Sequence, residues 1–200
     1  MIVDLARRRA TIRKFLTKEI SLQKIFRILE VARQAPSGAN RQPWRFVVVS
    51  DASLKRRIRE ECERIERSFH SKAPEWMKKW LSEKKITPVK EFLTEAPYLI
   101  VVCSEKAAVY HVQSVWLSIG YMLLATEEEG LATVVYTPSR TVGIRQILRI
   151  PDEYMVEAIL PIGYAAEKPE KSRGALSKLI CNNTWATSFK ESELQVASGH

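Results

Sequence analysis

The sequence predicts an α/β fold in two or three layers, with helices packed against a sheet. Helical and strand patterns interleave along the 200 residues, and no linker divides them, which indicates one domain over residues 1–200. Tyr98 to Cys103 (YLIVVC) is apolar throughout, as is typical of a central strand covered on both faces. Val112 to Glu128 is apolar on nearly all sides, which indicates a helix buried in a core or a subunit interface.

The first half of the chain places helices around a proline turn and a strand. Ser21 can cap a helix whose apolar residues follow helical spacing, namely Leu22, Ile25, Phe26, Ile28, Leu29 and Ala32. The helix stops before Pro36, and a strand follows over Phe46 to Val49. Asp51 or Ser53 then caps a highly charged helix that we expect to end near Glu66.

Residues 67–92 are predicted to form an irregular excursion. The segment holds Trp76 and Trp80 among lysines, and Pro74 and Pro88 interrupt it. Two interpretations stay open: a lid over a binding site, or a surface segment whose tryptophans dock on the core. Long irregular insertions in compact domains are often functional.

The second half of the chain continues with short elements after the two apolar segments. Gly130 is a suitable C′ residue to end the apolar helix. We expect a strand over 131–137, a short helix over 144–148 and a last strand over 156–164. Residues 184–200 are predicted to form either an arm on a partner subunit or a disordered tail.

The composition excludes several classes of protein. The net charge is +9, but the basic residues are scattered and alternate with Glu, so we expect solvated helix faces and no nucleic acid. No run of eighteen apolar residues and no secretory signal is present, so no membrane association is expected. The three cysteines form no zinc or redox motif, which favours a cytoplasmic location.

Two basic clusters could hold a phosphate. Arg9, Thr11 and Arg13 alternate, so an extended segment presents them on one face, and guanidinium groups bind phosphate through paired donors. A second cluster is Lys171 and Arg173. The alternative for each is an ordinary solvated patch. No Ser-His-Asp set, metal-ligand spacing or G-x-G-x-x-G motif is present, so reactive chemistry is expected to come from a bound cofactor.

The stretch Ala35 to Trp44 (APSGANRQPW) is a candidate ligand loop. Gly38 allows close approach of the backbone to a ligand, and Ser37, Asn40 and Gln42 add side-chain donors and acceptors. The alternative is a plain helix-to-strand turn with polar residues.

Six segments, in order, resemble the FMN-dependent nitroreductase family. They are RATIRKF (9–15), APSGANRQPWRFVVV (35–49), APYLIVV (96–102), GLATVVYTP (130–138), LPIGY (160–164) and KSR (171–173). The resemblance implies an α+β fold of three α/β/α layers, with a mixed, mostly antiparallel central sheet flanked by helices. It also implies a homodimer with FMN at the interface.

The resemblance assigns roles to residues of this chain. Arg9, Thr11, Arg13 and Arg173 would hold the FMN phosphate, with help from Lys171. The turn of Pro36, Ser37, Gly38, Ala39 and Asn40 would line the flavin ring. Thr137 and Pro138 would lie at flavin N5, where Thr137 donates a hydrogen bond as the catalytic group.

A narrower resemblance points to the branch that deiodinates iodotyrosine. Ser37-Gly38-Ala39, Thr137-Pro138 and Lys90 match that branch, and Ala39, Phe69 and Lys90 are the substrate residues it implies. That branch binds the amino-acid zwitterion through Glu, Tyr and Lys side chains, and this sequence matches only the Lys. The position of the Tyr corresponds to Ser68 or Phe69 or a residue near them, and the position of the Glu corresponds to Arg64 or Ile65 or a residue near them.

Three functions follow as expectations. The first is an NAD(P)H-dependent FMN oxidoreductase, with NADH or NADPH as donor, that reduces a nitroaromatic or quinone by ping-pong hydride transfer. The second is a reductive dehalogenase of halophenols. The third, of another class, is a flavin-binding protein without turnover.

Overall fold

The structure is a computed structural model that describes residues 1–190 and 193. The chain divides into two compact units, Met1–Pro169 and Glu170–His200. In the second unit, the described residues include a short 3-10 turn at Leu176–Lys178. The rest of this subsection concerns the first unit.

The first unit contains a sheet of four antiparallel strands. They are β1 (Trp44–Val49), β2 (Tyr98–Glu105), β3 (Ala132–Thr133) and β4 (Tyr154–Gly163). Their order across the sheet is β1-β2-β4-β3. A parallel bridge between Thr11 and Thr133 extends the sheet beyond β3, so the pairing is mixed but mostly antiparallel.

Helices cover both faces of the sheet. One face carries α2 (Leu22–Ala32) and α6 (His111–Glu128), with α1 (Ile2–Arg8) packed on α6. The other carries α3 (Ala52–Lys72), α5 (Phe92–Glu95) and α7 (Val142–Leu148). A further helix, α4 (Glu75–Glu83), follows α3.

Strand β2 shows why there are three layers. Leu99, Val101 and Cys103 belong to the core on the α3 side, while Ile100 and Val102 belong to the core on the α6 side. Because successive strand residues point to opposite faces, an uninterrupted apolar run supplies both cores. The predicted fold class, α+β with three layers, is confirmed.

Several predicted element limits need correction. Helix α3 continues to Lys72 instead of ending near Glu66, and α4 occupies much of 67–92, so that segment is mainly helical. Charge pairs four residues apart, such as Glu63 with Arg67, support the polar extension of α3. Strand β3 covers only two residues of the predicted 131–137 strand.

The tryptophans of α4 do not dock on the core. Trp76 is 68% exposed and Trp80 is 47% exposed, so the docking interpretation is not supported. Most other expectations hold: Asp51 caps α3 by accepting from the Leu54 N–H at 2.7 Å. Gly130 ends α6 with a φ of +69°. Of the predicted 184–200 arm or tail, residues 191, 192 and 194–200 lie outside the described residues.

Candidate functional site

The segment from Arg9 to Phe15 lies along the β3 edge of the sheet. The Ile12 N–H donates to the Thr133 carbonyl at 3.1 Å, and Phe15 bridges Ala165. Ile12 and Phe15 are buried, while Arg13 is exposed. The segment is therefore extended here, and its apolar residues anchor it while the Arg13 guanidinium faces solvent.

Two contacts fix this segment. The Glu167 carboxylate accepts hydrogen bonds from the backbone N–H groups of Arg13 and Lys14. Gly163 leaves room for the Phe15 ring, because a Cβ atom on Gly163 would lie 2.6 Å from Phe15 Cδ1. The basic segment is thus attached to the sheet through both its backbone and its buried ring.

The predicted ligand loop is a strained turn. Ala39 and Asn40 have φ values of 48° and 53°, and Gln42 has 48°. Such left-handed backbone is unfavourable for residues other than glycine and clusters at functional sites. The Gly38 N–H donates to Ser114 Oγ at 3.1 Å, and the Gln42 N–H donates to Ser37 Oγ at 3.0 Å.

Gly38 packs closely against the start of α6. A Cβ atom there would lie 3.0 Å from both the Val109 carbonyl oxygen and the Tyr110 ring. The turn is held by these contacts and its tip stays open, since Ala39 and Asn40 are exposed.

The basic segment and the turn lie at opposite ends of the sheet. The turn leads into Trp44, which pairs with Ser104 near the end of β2. The basic segment pairs with Thr133, which pairs with Ile162, and Ile162 pairs in turn with Tyr98 at the start of β2. Tyr98 and Ser104 are six residues apart, about 20 Å at the usual rise of a strand. Within one chain, the structure does not bring the two predicted flavin-binding elements together.

Thr137 and Pro138 follow β3 and lead into a cleft. Thr137 is exposed and Pro138 is buried. The cleft, of about 370 Å³, lies between α3, α4 and the loop after Pro138. Its apolar lining residues are Ile65, Phe69, Ala73, Pro74 and Met77, and its polar ones are Arg64, Ser68, Lys72, Ser139 and Arg140. The predicted substrate residue Phe69 is thus close to the loop that carries Thr137.

Lys90, a predicted substrate residue, is only 7% exposed and does not line this cleft. Its ammonium group lies 3.3 Å from Glu66 Oε2 and donates to the Thr87 carbonyl at 2.6 Å. The other Glu66 oxygen accepts from the Tyr136 hydroxyl at 3.0 Å. Burial raises the pKa of Tyr136, and the neighbouring Glu66 carboxylate acts in the same direction, so the hydroxyl keeps its proton.

The structure describes Lys171 and Arg173 only within the second unit. Both are exposed, and the Arg173 guanidinium donates to the Ser172 carbonyl at 2.8 Å.

Sequence reasoning missed Glu66 and the cations Lys72 and Arg140. No local pattern could reveal Glu66, because its partners Lys90 and Tyr136 are distant in the chain. Across residues 1–190 and 193, no three metal-ligating side chains cluster, and no helix is long and apolar enough to cross a membrane.

Comparisons with known proteins agree with this geometry. The model of the nitroreductase family matches residues 6–164. An iodotyrosine deiodinase from Thermotoga neapolitana is 47% identical over 174 residues, which cover 86% of this chain and 94% of the relative. An iodotyrosine deiodinase from Haliscomenobacter hydrossis is 37% identical over 172 residues, 80% of this chain and 77% of the relative.

A solved structure gives the same result. Oxidized iodotyrosine deiodinase bound to FMN and 3-iodo-L-tyrosine superposes with a TM-score of 0.86 and 44% identity, over 92% of this chain and 99% of that chain.

These comparisons correct one expectation and confirm another. The expected reduction of a nitroaromatic or quinone is wrong, because the relatives are deiodinases, and the dehalogenase alternative fits better. The predicted class of enzyme, an FMN-dependent oxidoreductase of nitroreductase type, is confirmed. With a family match over 6–164 and a 47% identical relative, the chain belongs to the nitroreductase family.

Proposed function

We propose that the protein is an FMN-dependent reductive dehalogenase that acts on a halogenated phenol. The observation that carries the proposal is the similarity to iodotyrosine deiodinases over nearly the whole chain, at 44% identity and a TM-score of 0.86. The exposed Thr137 hydroxyl, next to the loop that lines the cleft, agrees with it.

The residues present fit FMN. The anchored Arg9–Arg13 segment offers an exposed guanidinium to the phosphate, with Thr11 beside it. The strained turn over Ser37–Asn40 supports a ring contact, because its open tip presents backbone toward a ligand. We assign Thr137 to donate a hydrogen bond from its hydroxyl group to flavin N5.

We propose a homodimer, which the position of these elements supports. The turn and the basic segment lie about 20 Å apart along the sheet, a separation that favours a flavin site shared between two protomers. We propose that each FMN takes the basic segment of one protomer and the turn of its partner. The outer face of α6 supports this arrangement, since Trp116, Leu117 and Tyr121 are 40–49% exposed.

The reaction removes a halide from the ring. Bound FMN in its reduced form supplies two electrons, and with one proton the aryl–halogen bond is replaced by an aryl–hydrogen bond while halide leaves. Phe69 and Met77 orient the phenol ring in the cleft. Thr137 contributes the hydrogen bond that we assign to flavin N5, where electrons leave the flavin.

The source of the electrons and the cellular location belong to the proposal. We assign NADH or NADPH as donor and a cytoplasmic location, which agrees with the free thiols of Cys62, Cys103 and Cys181. Loss of the yellow flavin absorbance on anaerobic addition of either nucleotide tests the donor.

The central test measures halide release. The protein is loaded with FMN, reduced with dithionite under nitrogen and given 2-iodophenol, and iodide is quantified by ion chromatography. We expect stoichiometric iodide and phenol over many turnovers. Thr137→Ala is expected to lower the rate about 100-fold, the usual loss for a donor at the reacting centre.

Thr17→Ala serves as the matched control, since Thr17 is an exposed hydroxyl outside the assigned site. It is expected to keep the wild-type rate. Protein that binds FMN but releases no iodide from any iodophenol contradicts the proposal.

A further inference from the structure

The cleft beside Thr137 carries positive charge and no negative charge. Its lining includes Arg64, Lys72 and Arg140, and no Asp or Glu is among the lining residues in the part of the chain that the structure describes. The uncharged lining is apolar except for the hydroxyl groups of Ser68 and Ser139, and its Phe69 and Met77 side chains can contact an aromatic ring. The chemistry of the lining therefore distinguishes ligands by their charge.

Two of these cations have no ion-pair partner among the residues that the structure describes. The Arg64 guanidinium is neutralised by Glu61, with contacts of 2.7 and 2.8 Å. Lys72 and Arg140, by contrast, form no ion pair with any residue in 1–190 or with Glu193, and both are exposed at the cleft. An anionic group on a ligand would meet two unpaired cations there.

Two carboxylates of α3 already have partners. Glu66 holds the Lys90 ammonium with one oxygen and the Tyr136 hydroxyl with the other, and it does not line the cleft. Glu61 is paired with Arg64. A ligand ammonium group would thus face Lys72 and Arg140 with no unpaired anion among the described lining residues, and burial of an unbalanced charge is unfavourable.

We propose that this cleft selects a halogenated phenol that carries an anionic tail and no ammonium group, such as a carboxylate joined to the ring by a short chain. The inference rests on the proposed dehalogenase function and names its substrate class. It differs from the 3-iodo-L-tyrosine bound in the similar structure, because that amino acid carries both charges.

The test compares four iodophenols that differ only in their tails. They are 3-iodo-4-hydroxyphenylpropanoate, 3-iodo-L-tyrosine, 3-iodotyramine and 2-iodophenol. FMN-loaded protein is titrated with each, and binding is followed by the change in flavin fluorescence. Iodide release under dithionite then gives kcat/KM. We expect the propanoate to be preferred about tenfold over iodotyrosine, and iodotyramine to be the poorest, as one ion pair in a partly hydrated cleft implies.

Variants assign the preference to the two cations. Lys72→Gln with Arg140→Gln is expected to lower the advantage of the propanoate over 2-iodophenol about tenfold, in both binding and kcat/KM. Lys79→Gln removes an exposed charge of α4 outside the cleft lining and is the control. The binding affinity and kcat/KM of all four iodophenols are expected to stay unchanged in this variant.

The outcomes separate the inference from the proposed function. Equal or tighter binding of iodotyrosine or iodotyramine overturns the inference, even where iodide release proves the dehalogenase. An unchanged propanoate advantage in the double variant also overturns it. No iodide from any probe contradicts the proposed function, while the fluorescence titration still decides the charge preference.

Discussion

At the scale of single residues, two of the three cysteines are buried in the core. Cys62 and Cys103 are buried, whereas Cys181 is exposed. Burial raises the pKa of each buried thiol from 9.0 to about 12. The folded protein therefore keeps both thiols protonated at pH values where an unfolded chain loses the protons.

This difference makes stability depend on pH. Between pH 9 and pH 12 the unfolded state binds fewer protons than the folded state, so the free energy of unfolding falls as the pH rises. Each thiol contributes at most about 1.4 kcal/mol per pH unit. Urea unfolding at pH 8 and pH 10.5 measures the fall, and Cys62→Ala with Cys103→Ala is expected to reduce it.

Cys181→Ala is the control for this experiment and is expected to keep the wild-type pH dependence. The same fall in the double variant as in the wild type would show that other groups cause it.

Lys90 shows what the sequence conceals at this scale. The resemblance to the deiodinating branch assigned it to the substrate, but a charge becomes buried only when a partner compensates it. That partner is Glu66, which lies on α3 and is distant in the chain. Arg13 was easier to interpret, because alternation with buried Ile12 is a local property of an extended segment.

At the scale of elements, predictability follows the strength of the local pattern. Strand β2 and helix α6 were found because continuous apolar character leaves few alternatives. The end of α3 was not, because residues 67–72 are polar apart from Phe69, and the helix there depends on charge pairs and ends only before Pro74. Strand β3 was predicted too long, because its regular pairing with β4 covers only two residues, and the predicted 131–137 segment pairs with β4 again only at Tyr136, opposite Ile159.

The attachment of the basic segment to β4 gives a prediction at this scale. Gly163→Ala places a Cβ atom against the buried Phe15 ring, so the ring and the segment with Arg13 must shift. We expect a loss of about 1–3 kcal/mol in the free energy of unfolding, the usual cost of overpacking. We also expect weaker FMN binding, measured by titration of flavin fluorescence.

Ser82→Thr is the matched control, since it adds one methyl group at an exposed position of α4 outside the cleft lining and outside the outer face of α6. Because this methyl group meets no buried ring, the variant is expected to keep the wild-type FMN affinity and the wild-type stability to within about 0.5 kcal/mol. A stable Gly163→Ala variant with normal FMN affinity would show that the segment is not positioned by this contact.

At the scale of the whole molecule, the proposed sharing of the flavin site between protomers makes a prediction about mixed dimers. Arg9→Gln with Arg13→Gln removes the side chains that we assign to the phosphate, and Gly38→Val disturbs the turn against Tyr110. Each variant alone is expected to bind little FMN. A mixed dimer contains one site with both defects and one intact site, so co-expression is expected to restore about one FMN per two chains.

The measurement is the flavin absorbance of mixed dimers that are isolated through two different affinity tags. Light scattering of the wild type checks the dimer itself. If the mixed dimers bind no more FMN than either variant, then each chain builds its own flavin site, and the shared arrangement is wrong.

The strand order β1-β2-β4-β3 also has a consequence for the time course of folding. Strand β2 pairs with β1 and β4, yet three helices separate it from β1 along the chain, and two helices and β3 separate it from β4. No two neighbouring strands form a hairpin of adjacent segments, so every strand pair must close a long loop first. Chains dominated by such distant contacts fold slowly, on the order of milliseconds to seconds. During that interval the apolar strand β2 stays uncovered, and refolding at high protein concentration is expected to lose material to aggregation.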